Sequence, residues 1–187
     1  MKSLSFFTAV FAGFAAFVPI ENLHLMVKHR RAKKVSVVLA LWQVFLFLLV
    51  VEFWVASGNV TDALDTIPKY LLFLLLPIGV TLMAIISKPE FGNDERDEDI
   101  EFLHQRFWFF GTLAALPVIS VLRELSNGER IAFDDDLLFR VLILIGAVVG
   151  MFLKQRWPRI VHAVVMIAVI TLYMLIVFPA ISTATTD

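Results

Sequence analysis

Two short motifs in this 187-residue chain bring together the residue types best suited to chemistry. Glu21-x-x-His24 and Glu101-x-x-His104 each set a carboxylate and an imidazole three residues apart. On a helix that spacing puts both groups on one face, where together they suit a divalent metal ion such as zinc. Paired Glu-x-x-His motifs, completed by further glutamates, build di-iron centres inside helical bundles. Those glutamates are missing here, so a mononuclear site using Glu21, His24, Glu101 and His104 fits better than a dinuclear one. The plainer reading weighs more. Glutamate and histidine stay hydrated at little cost where a helix leaves a membrane, and so short a motif recurs by chance.

Glu52 and Arg140 form the second candidate constellation, because both lie within apolar runs. A charge inside a bilayer is costly, which makes such residues functional candidates with an expected partner. Each sits near the outer end of its run, so an ion pair, direct or through water, would spare both their desolvation. In a functional version Glu52 belongs to a proton or cation path. In a structural version the pair clasps two helices, or Arg140 extends alone toward water on its aliphatic stem. The structural version is preferred, since no chain of further carboxylates continues inward.

Other chemistry finds little support, and no catalytic residue is identified. With no cysteine in the chain, disulfides, thiolate metal sites and cysteine nucleophiles are excluded together. No phosphate-cradling glycine loop, nucleophile elbow or zincin motif occurs. The acidic stretch Asn93 to Asp99 lacks the spacing and glycine of an EF-hand loop. It suits the negatively charged first turn of a helix leading into Phe107. A haem between two mid-membrane histidines is excluded, because none of His24, His29, His104 and His162 lies near mid-depth.

The elements that must position these groups are long and apolar. Hydrophobic residues make up 59% of the chain and mean hydropathy is +0.84, values of the membrane class. Six runs approach the length of a membrane-crossing helix: 4–20, 35–57, 70–87, 107–123, 137–153 and 160–182. None alternates with period two, so helices rather than a barrel are expected. The predicted fold is all-α, a polytopic membrane bundle of about six helices forming a single transmembrane domain over residues 1–187. Lys2 and the apolar stretch Leu4 to Val18 resemble a signal peptide, but are read as an uncleaved first helix.

Basic residues set the expected orientation. The first loop carries Lys28, Arg30, Arg31, Lys33 and Lys34; the third Lys88, Arg96 and Arg106; the fifth Lys154, Arg156 and Arg159. The other side has only Lys2, Lys69, Arg123 and Arg130. Odd loops are therefore cytoplasmic and both termini face outward, which puts all four histidines on the cytoplasmic side. Trp54, Tyr70, Trp108 and Trp157 fall near helix ends, as interfacial aromatics do. Three helices followed by three more would give halves of opposite orientation, with Pro77 and Pro117 near mid-helix. Residue matches between the halves are not convincing, however. Ser5, Ala9 and Gly13 form a small-residue stripe that permits close helix packing.

The stretch running from Trp42 through Phe53-Trp54, Pro77 and Pro89 to Arg106 and Phe109-Phe110 is similar to small six-helix bacterial inner-membrane proteins. The likeness covers about the middle third of the chain and implies a multi-pass inner-membrane location. It brings no functional residues with it.

Three function classes remain. The first is a small oligomeric channel or transporter, and the second a non-catalytic accessory or sensor subunit of a membrane complex. The third, well behind, is a metal-binding protein using the Glu/His cluster. The expected partners are the lipid bilayer and either further copies of the chain or a membrane complex. Nucleic acid is excluded, because the one dense basic run is short and lies between apolar segments. The topology is testable with single cysteines in this cysteine-free background. A cysteine near Asn59 should react with an impermeant reagent from outside, and one near Asn93 should not. The reverse pattern would overturn the orientation.

Overall fold

The computed structural model describes residues 2–29, 35–57, 66–89, 98–128 and 134–184. Six helices make it up: α1 (Lys2–His29), α2 (Val37–Ser57), α3 (Ile67–Ile86), α4 (Glu98–Ser126), α5 (Asp135–Phe152) and α6 (Arg156–Ala184). No strand occurs among the described residues. Five of these helices contain segments long and apolar enough to cross a membrane: 9–29, 37–56, 67–86, 102–126 and 156–176. The remaining helix, α5, is 18 residues long and carries Asp135, Asp136 and Arg140 near its start. At about 1.5 Å per residue it measures about 27 Å, just under the roughly 30 Å of a hydrocarbon core.

Local chemistry explains where the helices begin and end. Asp134 is the N-cap of α5, accepting a bond from the Leu137 amide at 3.0 Å. A proline in the first turn opens α3. α1 and α4 are 28 and 29 residues long and outrun their apolar runs. The residues after Ile20 and before Phe107 include no glycine or proline in those helices, so helical hydrogen bonding continues beyond the hydrophobicity. The basic residues Arg30 to Lys34 and most of the acidic stretch lie outside the described residues, as do the side chains of Ser5 and Glu101.

The helices close into a ring in the order α1, α3, α4, α5, α6, α2, with α2 also leaning against α3. Contacts at each end show that helices consecutive in the chain run antiparallel, while the ring neighbours α1 and α3, and α2 and α6, run in the same direction. At one end late α1 and early α2 meet late α3: Asn22 Nδ2 donates to Gln43 Oε1 at 3.2 Å and to the Ala84 carbonyl at 2.8 Å. Gln43 Nε2 in turn donates to the Ser87 hydroxyl and carbonyl at 2.8 and 3.0 Å. The same end holds an aromatic core, with Trp42 at 5.3, 5.1 and 5.2 Å from Phe45, Phe109 and Phe110. His162 of α6 packs against that core and its Nε2 meets the Gly146 carbonyl of α5 at 2.9 Å. The two halves are not equivalent in packing. α1 sits against α3, whereas α4 and α6 are joined through α5 and share no comparable face.

The surface is inverted relative to that of a water-soluble bundle. Gln43 is 0% exposed while Phe14 and Leu175 are each 67% exposed, and large apolar side chains cover every helix. Within the ring, glycines permit the closest approaches. A Cβ at Gly150 would overlap the Phe110 ring, whereas one at Gly111 would meet nothing within 4 Å. Gly150→Ala should therefore destabilise the detergent-solubilised protein by about 1–3 kcal/mol through overpacking. Gly111→Ala should be neutral or mildly stabilising through helix propensity. Thermal unfolding of the two variants side by side checks the contrast.

Candidate functional site: a charged cavity at one end of the bundle

The end opposite the aromatic core contains a cavity of about 320 Å³. Five helices build it, all except α1. Its walls are apolar: Leu49 and Phe53 from α2, Leu76 and Val80 from α3, and Leu113, Leu116 and Pro117 from α4, with Ile143 and Ile170 beyond them. Its rim is charged. Glu52 comes from α2, Arg123 and Glu124 from α4, Asp136 and Arg140 from α5, and Tyr173 from α6.

Arg140 organises this rim. Its guanidinium Nη2 donates to Glu124 on the neighbouring helix and to Asp136 one turn back on its own. Tyr173 donates from α6 to the other Asp136 oxygen at 2.7 Å. Three helices are thus tied through one carboxylate and one guanidinium. Exposure of the three charged side chains is only 14–29%, so these are charge-assisted bonds in a partly dry setting. The Arg123 guanidinium lies 6.0 Å from the Phe73 ring centroid, within cation–π reach. Glu52, half-buried, faces this group from α2, beside Tyr173, Asp136, Arg123 and Arg140.

Glu52 and Arg140 therefore line one cavity, while the ion pairs of Arg140 go to Glu124 and Asp136. Sequence reasoning missed these two acids because they fall at the edges of the apolar runs. Glu124 lies one residue past the run 107–123, and Asp136 one residue before 137–153. The Asp136–Arg140 spacing of four was a visible helical pairing signal. Tyr173 had no such signal, being one aromatic among many.

The Glu-x-x-His residues lie at the opposite end. Glu21 and His24 are both exposed on α1, and His104 is exposed on α4. The side chain of Glu101 is outside the described residues. α1 packs on α2 and α3, and α4 on α3 and α5. Among the described residues, no three histidines or carboxylates are grouped to hold a metal ion. The chain matches no family model, and no curated protein or solved structure is similar to it.

The weight placed on Arg140 is testable. Arg140→Gln leaves Glu124 and Asp136 facing each other without their cation. Removing one partner of a buried pair costs about 3–5 kcal/mol, and the partial exposure here puts the expected loss near the lower figure. Glu52→Gln breaks none of these bonds and should cost far less. Unfolding in detergent that ranks the two variants in the opposite order would contradict this assignment.

Proposed function

We propose that the six helices span a bacterial inner membrane and that the charged cavity receives a small solute from the non-cytoplasmic side. The protein then serves permeation, as a small transporter or channel working as an oligomer. The observation that carries this reading is the cavity itself: five helices enclose an apolar chamber beneath a charged rim. Pockets that combine apolar walls with a few convergent polar groups are the usual form of a solute site.

Charge distribution supports the orientation. Lys28, Lys88, Arg106, Lys154, Arg156 and Arg159 gather at the aromatic end, against Lys69, Arg123 and Arg140 at the cavity end, where Glu52, Glu124, Asp134, Asp135 and Asp136 also lie. An excess of lysine and arginine favours the cytoplasmic side, so the cavity end faces out. Beneath the cavity the packed rings of Trp42, Phe109 and Phe110 close the inner half. A chamber open at one end and plugged at the other suits alternating access better than a continuous pore. An accessory or sensor subunit is the second reading, favoured by the broad apolar surface left uncovered on the helices.

Ser120 lines the cavity and provides the test. In intact cells, Ser120→Cys should react with a small impermeant thiol reagent added outside, more slowly than a cysteine at Asn59. Reconstituted protein should move small ions or amines in electrical recordings from supported membranes. Labelling of Ser120→Cys only from the cytoplasmic side would overturn the reading. Normal outside labelling without any flux would move the assignment to the accessory or sensor class.

A further inference from the structure

We propose that a groove between α1 and α3, on the lipid-facing side of the ring, holds an acyl chain of an anionic phospholipid whose phosphate sits between Lys28 and Lys88. This rests on the membrane reading above but not on the cavity, which shares no lining residue with the groove. α1 and α3 run in the same direction and are joined at two levels. Asn22 bonds the Ala84 carbonyl at 2.8 Å toward one end, and Ala12 clusters with Phe73 and Leu74 toward the other. In front of these contacts the helices leave a groove of about 450 Å³. Phe11 and Phe14 form its α1 side, and Ile78, Leu82 and Ile85 its α3 side, with buried Pro77 beneath. All five side chains are exposed, so the groove opens away from the ring.

The walls decide against a polar guest. Thr81 is the one polar side chain in the groove, and its hydroxyl donates to the Pro77 carbonyl at 2.8 Å. Width decides against a helix. The stretch 77–85 rises about 12 Å, which gives the groove a cross-section of about 40 Å². A helix about 10–12 Å across needs about 80–110 Å². It could rest over the mouth of the groove but not fill it, whereas an acyl chain is a thinner rod. Charge then selects the lipid. Lys28 lies six residues beyond Asn22 on α1, and Lys88 four residues beyond Ala84, rises of about 9 and 6 Å. Both are exposed, and among the described residues neither enters an ion pair. Each bounding helix thus presents an ammonium just past the end of the groove at Ile85. Two such lysines favour an anionic headgroup over a zwitterionic one, and in the proposed orientation they face the cytoplasmic leaflet, whose surface potential is negative. Glu21, the one acid of α1, stands about 10 Å deeper than Lys28, which keeps the headgroup out at the lysines.

Photolabelling of the full chain in phosphatidylcholine nanodiscs tests this. The probes are trace phosphatidylglycerol and trace phosphatidylcholine carrying the same diazirine-bearing chain, and adducts are mapped to peptides by mass spectrometry. In wild type the phosphatidylglycerol probe should label residues 11–14 and 78–85 about tenfold more than the phosphatidylcholine probe, each lysine supplying up to about fivefold. Combining Lys28→Gln with Lys88→Gln should remove that preference. Leu82→Trp fills the groove and leaves both lysines, so it should remove the groove adducts and keep those on other helices. Equal labelling by the two probes in wild type would overturn the choice of an anionic lipid. A preference that survives in the double variant would overturn the assignment to the lysines. Adducts spread evenly over the exposed faces of all the helices would overturn the groove as a site. Absence of groove adducts would do the same, and a disulfide between Thr81→Cys copies would then name a second copy as the occupant. A nanodisc offers the same lipids at both ends, so reversed labelling at Asn59 and Asn93 would overturn the orientation without changing this outcome. Failure of the chain to enter nanodiscs would overturn the membrane reading and this proposal with it.

Discussion

Arg140 enters the bundle one turn into α5, where a lone guanidinium among apolar helices would be untenable. Its two acceptors come from different elements, Glu124 on α4 and Asp136 on α5 itself. Asp136 then receives Tyr173 from α6. The arrangement of three helices follows from satisfying that one cation. α4 must extend past its apolar run so that Glu124 reaches the rim, α5 must start early enough to present Asp136, and α6 must turn Tyr173 inward. Removing any one partner leaves a partly buried charge or hydroxyl short of a bond, which costs more than the bond itself contributes.

The other end obeys the same constraint with different chemistry. Asn22, Gln43 and Ser87 are neutral, and their side chains bond one another and the Ala84 and Ser87 carbonyls across α1, α2 and α3, while Asn22 Oδ1 finds no bond among the described residues. A neutral network tolerates complete burial, so apolar side chains can close around it. Trp42, Phe109 and Phe110 do so, and Gly150 lets the Phe110 ring approach α5. One end of the ring is therefore filled, and the other, whose polar groups are charged, is not.

Much of this architecture was legible because the dominant signal is simple. Six apolar runs became six helices, within a few residues except at α1 and α4, where polar but helix-compatible residues extended the element. The charged rim was only half legible. Glu52 and Arg140 stood out against their runs, but Glu124 and Asp136 sat where apolar runs end, and residues at run ends read as solvated. Their inward placement depends on how far α4 continues and which face of α5 turns to the ring, both properties of tertiary packing. The Glu-x-x-His pairs show the opposite case. The spacing correctly puts both groups of Glu21 and His24 on one helix face, yet that face is the exposed one. Periodicity identifies a shared face but not the direction it points.

The position of the rim explains why the cavity needs no ladder of carboxylates leading inward. Glu52 lies five residues before the end of α2, and Arg140 five residues after the start of α5. At about 1.5 Å per residue both are about 7–8 Å below the helix ends. In the proposed orientation that is the boundary between headgroups and hydrocarbon. α5 is the shortest of the six helices and acidic in its first turn, so Asp136 and Arg140 stand near its end rather than at mid-helix. A charged rim and a short helix thus belong together: the charges sit where α5 begins, and the apolar chamber lies deeper, where the helix has only apolar side chains to offer.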